Sequence, residues 1–228
     1  EKIIIIPPNI KDYITARGIS EQKIVLIPNG VDLSFYSNVK EYDGGNPDQI
    51  VFMYSGIFAR YAGLETILKA AHILQSRKNK KAKFVLLGDG AEKPDLIRLA
   101  EELNLKNLYF YDMVSRSETL KIYEQADIFI CIIKDIISSA GVSSKKLNDY
   151  MAFGRPIIFA VNSPKNPVEE ANAGATVLPE NPEALADAVE KMVELSPEKR
   201  ADMARNAREY ARKFLGIGFS AEKLRKMI

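Results

Sequence analysis

The strongest constraint in this chain is a series of short, wholly apolar segments separated by stretches of helical character. They are IVFMYS at 50–55, KFVLL at 83–87, LYFY at 108–111, DIFICII at 127–133, IIFAV at 157–161 and ATVL at 175–178. A strand that is apolar at nearly every position is buried on both faces. A parallel sheet lying between two layers of helices provides that burial. Helices are expected between the strands at 63–77, 94–103, 117–125 (capped by Ser117), 144–153 and 167–172, with a tail of three more at 182–195, 197–214 and 220–227. The fold class is therefore α/β: a Rossmann-like parallel sheet with helices on both faces, followed by C-terminal helices.

Upstream, apolar runs at 3–6 and 23–27 read as two further strands. The segment YDGGNPD at 42–48 has the composition of a linker. The expected organisation is a leading piece over 1–45, a Rossmann-like domain over 46–215 and a C-terminal helix over 216–228. The chain starts at Glu1 on a strand, without an initiator Met, which suggests a piece of something larger.

Composition removes several classes of function. With 228 residues, 46% of them hydrophobic, the chain can bury a sizeable core. A net charge of +2 gives no general affinity for polyanions, so no nucleic-acid partner is expected. One Cys (Cys131) excludes internal disulfides and fits a reducing cytoplasm. One His (His72), expected in a structural role, and one Cys cannot build a usual zinc site or a Ser/His/Asp triad. No apolar run reaches transmembrane length. Charge is uneven, with nine basic and four acidic residues from Glu198 to Ile228.

In an open parallel sheet, ligands bind beyond the carboxyl ends of the strands, where the strand order reverses. The loops there are 56–62, 88–93, 112–116 and 134–144. The last of these feeds the most informative window, SSAGVSSKKLNDYMAFGRPIIFAV at 138–161. Ser138, Ser139, Ser143 and Ser144 favour turns and N-caps, Gly154 suits a left-handed helix end, and Arg155-Pro156 leads into a strand. A Gly/Ser-rich loop running into a helix aims unpaired amides and the positive dipole end at one spot, which suits a phosphate. Lys145 and Lys146 in the first turn are unfavourable there unless an anion is near. Asp149 follows on the same face. Two readings stand at this point: an anion site, or a capped helix with a solvated Lys/Asp face. Gly56 allows close backbone approach, and Arg60 reaches an oxyanion; both equally fit an ordinary strand-to-helix turn. Gly88-Asp89-Gly90 is first a turn signal.

Six motifs occur in order: I-P-N-G-V-D at 27–32, Y-S-G at 54–56, A-G-L-E-T-I-L-K-A-A at 62–71, L-L-G-D-G at 86–90, A-D-I-F-I at 126–130 and L-N-D-Y-M-A-F-G-R-P-I-I at 147–158. The chain resembles the C-terminal half of a GT-B glycosyltransferase of family 4, the "group 1" retaining enzymes, nearest to the branch that builds bacterial O-antigen and capsule. The resemblance implies a domain that binds a nucleoside-diphosphate sugar, a UDP- or GDP-sugar, with no separate cofactor and no metal. It implies that Gly56, Ile57 and Phe58 lie against the diphosphate and that Gly88 walls the sugar pocket. Met113 and Val114 would present backbone groups to the base. Val142, Ser143, Ser144 and Lys145 would hold the diphosphate, and Asp149 would bond the ribose hydroxyls. Arg60 matches the family's phosphate-neutralising Arg. The accompanying Lys falls on Ala62, and the first acid of the E-x7-E pair on Gly141, so Lys145 or Lys146 is expected to supply the missing charge. The acceptor site would come from an N-terminal domain, and this chain alone would not catalyse transfer. A GT-B-type nucleotide-sugar epimerase and a non-catalytic sugar-nucleotide module are the alternatives. The basic tail is expected either to cross back to the N-terminal domain or to touch a membrane surface carrying a lipid-linked acceptor, from the cytoplasmic side.

Overall fold

Residues 2–7, 10–135, 144–163 and 166–225 are described by a computed structural model. From residue 50 onward the apolar runs pair into one six-stranded parallel sheet. Its strands are β3 (Ile50–Ser55), β4 (Ala82–Leu87), β5 (Leu108–Tyr111), β6 (Ile128–Ile132), β7 (Ile157–Ala160) and β8 (Gly174–Val177), in the order β5-β4-β3-β6-β7-β8. The chain builds outward from β3 to one edge, then returns to lay β6 on β3's other side. The order therefore reverses between β3 and β6, and a crevice opens at their carboxyl ends. Ahead of the sheet, β1 (Ile3–Ile5) and β2 (Ile24–Leu26) pair with each other, with α1 (Ile10–Thr15) between them.

Alternation along each strand divides the core into two layers. Phe52, Tyr54, Phe84, Ile128, Ile130 and Ile158 face α2 (Glu65–Ser76), α3 (Lys93–Glu102) and α7 (Pro182–Glu194). Met53, Leu87, Phe129, Cys131, Ile157 and Phe159 face the side of α4 (Arg116–Tyr123), α5 (Lys145–Phe153), the short α6 (Pro167–Glu170) and α8 (Pro197–Tyr210). Every residue of β6 and β7 is buried. That two-sided burial is why these runs carry no polar positions, and it bears out the parallel, doubly covered sheet.

α5 starts and stops where its residues dictate. Ser144 is the N-cap, its side chain accepting from Leu147 N–H, and Gly154 closes the helix in the left-handed conformation at φ 80°. Other boundaries differ from the expectation. The N-cap of α4 is Ser115, not Ser117: Ser115 Oγ accepts from Glu118 N–H (3.3 Å) and Glu118 Oε2 accepts from Ser115 N–H (3.1 Å). Ser117 cannot build that reciprocal box, because the residue three positions on is Leu120. The helix expected over 197–214 stops at Tyr210 and widens into a π turn over Ala211–Leu215. Val31 pulls the end of that turn out of register, donating to Leu215 O (2.8 Å) and accepting from Ile217 N–H (3.0 Å). The last helix, α9, accordingly spans Ile217–Arg225.

The 42–48 segment is not a loose tether. Gly44 and Gly45 both adopt positive φ, and a Cβ on either would run into Pro197 or the Asp127 carboxylate. Fully buried Arg200 reaches across to Gly44 O (Nε···O 2.8 Å). His72 places Nδ1 3.2 Å from Leu103 O, in keeping with the structural role expected of it.

Candidate functional site

Three pieces of chain meet at the carboxyl ends of β3 and β6: the loop after β3, the loop before α4, and the start of α5. Tyr150 fixes α5 against β3. Its hydroxyl accepts from Ser55 N–H (2.7 Å) and donates to Ser55 O (3.2 Å), while its ring stacks on Phe129 with centroids 4.1 Å apart. Tyr54, the neighbour of Ser55, is pinned by its own hydroxyl, which donates to Ile57 O (2.9 Å).

Lys146 lies across that pinned ring, its Nζ 3.6 Å from the Tyr54 centroid. No carboxylate among the described residues is within ion-pair distance of it. Burial lowers its pKa to about 8, with Cys131 a minor opposing influence. The ammonium occupies a notch that exists because residue 56 is glycine: a Cβ there would stand 2.9 Å from Lys146 Cε and 3.0 Å from Nζ. Gly56 also has φ +148°, which strains any other residue. Gly56→Ala is therefore expected to push the ammonium out of its notch, and the backbone strain to cost roughly 1–3 kcal/mol of stability, which urea unfolding reads.

Asp149, one turn further along α5, faces the loop before α4. Its Oδ1 accepts from the Tyr36 hydroxyl at 2.6 Å. Burial raises its pKa, partly offset by that bond and by the positive charges of Arg116 and Lys145. Arg116 lies over Phe35, 4.3 Å from the ring centroid.

Gly88 and Gly90 have a job between the two loops. Gly56 N–H donates to Leu87 O (2.9 Å), Phe58 N–H to Asp89 O (2.8 Å) and Glu92 N–H to Phe58 O (3.0 Å), so the loops after β3 and β4 run backbone against backbone. A Cβ on Gly88 or Gly90 would penetrate Gly56 or Phe58. Lys93 ties this junction to the next loop through Asp112 (2.5 Å).

The expected site residues are thus brought together unevenly. Gly56 and Lys146 converge at the helix that Ser144 caps, and Asp149, on the same helix, faces Tyr36 and Arg116. Ile57 is exposed at the loop tip and Phe58 is buried in the core beneath it. Arg60 is on the outside, its side chain 89% exposed and its Nε 3.9 Å from Glu92. Lys145 points to solvent, Met113 is exposed and Val114 half-buried. Ala62 is buried. Ser138, Ser139, Gly141, Val142 and Ser143 lie outside the described residues. Tyr36, Tyr54 and Arg116 escaped the sequence reading. Tyr54 falls within the Y-S-G motif, but like Tyr36 and Arg116 it acts on a residue from a distant element, which no local pattern marks.

This arrangement has counterparts. WcaI of Escherichia coli (strain K12), named as a colanic acid biosynthesis glycosyl transferase, is 24% identical over 210 residues, covering 87% of this chain and 50% of that protein. The alpha-D-kanosaminyltransferase of Streptomyces kanamyceticus is 28% identical over 177 residues, 72% of this chain and 41% of the other. The chain spans about half the length of the curated relatives it matches. Among solved structures, Anabaena HepE in complex with UDP and glucose superposes with a TM-score of 0.78 at 15% identity, over 99% of this chain and 62% of that one. Its likeness establishes that this chain has the fold of the Rossmann-like C-terminal half of a GT-B protein. Residues 39–210 match the family of glycosyl transferases group 1, a span that takes in the whole six-stranded sheet and every converging residue named above, and the chain belongs to that family.

Proposed function

We propose that this chain is the donor-binding half of a retaining glycosyltransferase that uses a nucleoside-diphosphate sugar to build a polysaccharide or related glycan. The observation that carries the reading is Lys146: an ammonium without a carboxylate partner among the described residues, largely buried, beside the first-turn amides of α5. Of those amides, Leu147 N–H is met by Ser144 Oγ; the first turn of a helix leaves the others without intrahelical acceptors. A diphosphate would satisfy amides, dipole and ammonium together. Lys146 then supplies the charge that Ala62 cannot, and Asp149, one turn along α5, would take the ribose hydroxyls.

Catalysis in this half is positioning plus stabilisation of the departing diphosphate. Lys146 and the α5 amides act first, Lys145 and exposed Arg60 as longer-range charge. The acceptor and its binding surface belong to the remainder of the protein. Support from relatives comes from the glycosyltransferase names of the matched proteins and from UDP in HepE. Titration of the chain with UDP, GDP and ADP tests the reading: one of them should bind, and silence from all three at millimolar concentration overturns it. Membrane contact is a further part of this proposal, supported by exposed Ile217 and Leu224 beside Lys223 and Arg225 on α9. No helix among the described residues is long and apolar enough to cross a membrane. Salt-sensitive flotation with anionic vesicles tests it.

A further inference from the structure

The segment joining the β1–β2 pair to the sheet does more than connect. Asp32 caps a short 3-10 turn, Leu33–Tyr36, by accepting from Ser34 N–H (3.0 Å), and the turn delivers Tyr36 to α5, 113 residues away in sequence. The Tyr36 ring is 7% exposed, packed edge-on against Phe35 at 5.3 Å, with Arg116 on Phe35. We propose that Tyr36 is a positioning residue of the donor site: by donating its phenol to Asp149 Oδ1 it turns Oδ2 toward the vicinal hydroxyls of the donor ribose and makes the site selective for ribonucleotides. This inference rests on the reading of α5 as the donor site.

The chemistry has one direction. A carboxylate accepts only, so it needs a donor to fix its rotamer, and a neutral phenol provides one. Burial and the Asp149 charge push the Tyr36 pKa far up, so the hydroxyl stays a donor throughout the working range. A carboxylate held in place before the ligand arrives loses no rotamer freedom on binding and reads the position of hydroxyls rather than their mere presence. The charged groups that face the pair are Arg116 from α4 and Lys145 from α5. Both favour the ionised carboxylate.

The test is a cycle between side chain and ligand. For whichever of UDP and GDP binds, the affinities of the unaltered chain and of Tyr36→Phe are measured for the nucleotide and for its 2′,3′-dideoxy analogue. Tyr36→Phe should weaken the ribonucleotide roughly tenfold and leave the dideoxy analogue unchanged, and combination with Asp149→Asn should add no further loss. Because the phenol bond lowers the Asp149 pKa, its removal should also move the acid limit of ribonucleotide binding to higher pH. Equal weakening of both ligands, or no change in either, overturns the proposal while the donor site stands. Absence of nucleotide binding by the unaltered chain removes both. Phe keeps the buried ring, so the chain still folds at a cost of about 1 kcal/mol; a single cooperative urea transition with a full folded baseline confirms that the comparison is between folded proteins.

Discussion

Lys146→Met should make the unliganded chain harder to unfold and leave it almost unable to bind a nucleoside diphosphate. Both effects follow from one ammonium held out of water without a counter-charge among the described residues. Its pKa is about 8 in the folded chain against 10.5 when unfolded. Between those values the unfolded chain binds more protons, so stability rises with pH there. Below about pH 8 the burial penalty is present in full. At about 1.4 kcal/mol per pKa unit the penalty is ~3–4 kcal/mol, and Met, of similar length and no charge, removes it. Binding has the opposite sign. A diphosphate beside the ammonium favours the protonated form, so affinity is level below about pH 8 and falls up to about tenfold per unit above it, with proton uptake visible as buffer-dependent heat. A charge-assisted contact of this kind contributes ~1.5–3 kcal/mol, so Lys146→Met should weaken UDP or GDP by roughly 10- to 150-fold. Arg60→Glu is the control. Arg60 is exposed and its pair with Glu92 is long, so its effect should be smaller, greater for the diphosphate than for the nucleoside, and erased by salt. Lys146→Met protein that binds as tightly as the unaltered chain would remove the anion site from the proposal.

The fold was legible because its evidence is local and redundant. Each of β3 and β6 is an apolar run that could be satisfied only between two layers, and Ser144 and Gly154 mark the ends of α5 by the backbone conformations they favour. Where two serines competed at α4, spacing to Glu118 decided for Ser115, a criterion available in the sequence but not applied to it. The end of α8 was not legible, since its widening answers hydrogen bonds to Val31, far upstream. The site divides the same way. Periodicity puts Lys145, Lys146 and Asp149 near one face, but it does not say what the neighbouring elements place opposite them. Packing on Tyr54 leaves Lys146 a partly buried cation while Lys145, one step round the helix, stays in water. Likewise Asp149, which a helix pattern pairs with a lysine, is bonded to Tyr36 instead. Gly88 carries a constraint that its turn signal does not reveal: its missing Cβ makes room for the Gly56 backbone.

The largest loss of stability is expected from Asp127→Ala, at a cluster distant from α5. Asp127 precedes β6, where its Oδ2 accepts from Val51 N–H (2.8 Å) and its Oδ1 from the Tyr42 hydroxyl (3.0 Å). Two buried guanidiniums stand near. Arg155 lies over the Tyr42 ring at 4.5 Å and donates to Ala126 O (2.8 Å), and Arg200 donates to Gly44 O (2.8 Å). Burial raises the Asp127 pKa, and the Val51 and Tyr42 bonds and both arginines pull against it. Ala would leave the phenol and the amide without acceptors, at about 1–3 kcal/mol each, and take a nearby negative charge away from both arginines. Asp127→Asn keeps the shape and one acceptor and should cost about 1–2 kcal/mol, and Tyr42→Phe about 1 kcal/mol. Since Tyr42 and Asp127 share a bond, the double variant should fall short of the sum of the singles by about 1 kcal/mol in urea unfolding. Strict additivity would mean that the Tyr42–Asp127 bond does not help to hold the packed 42–48 segment. Nucleotide affinity of the folded fraction should be unchanged in all of these variants, because the cluster anchors the base of β3 and β6 while Lys146 and Asp149 work at their opposite ends.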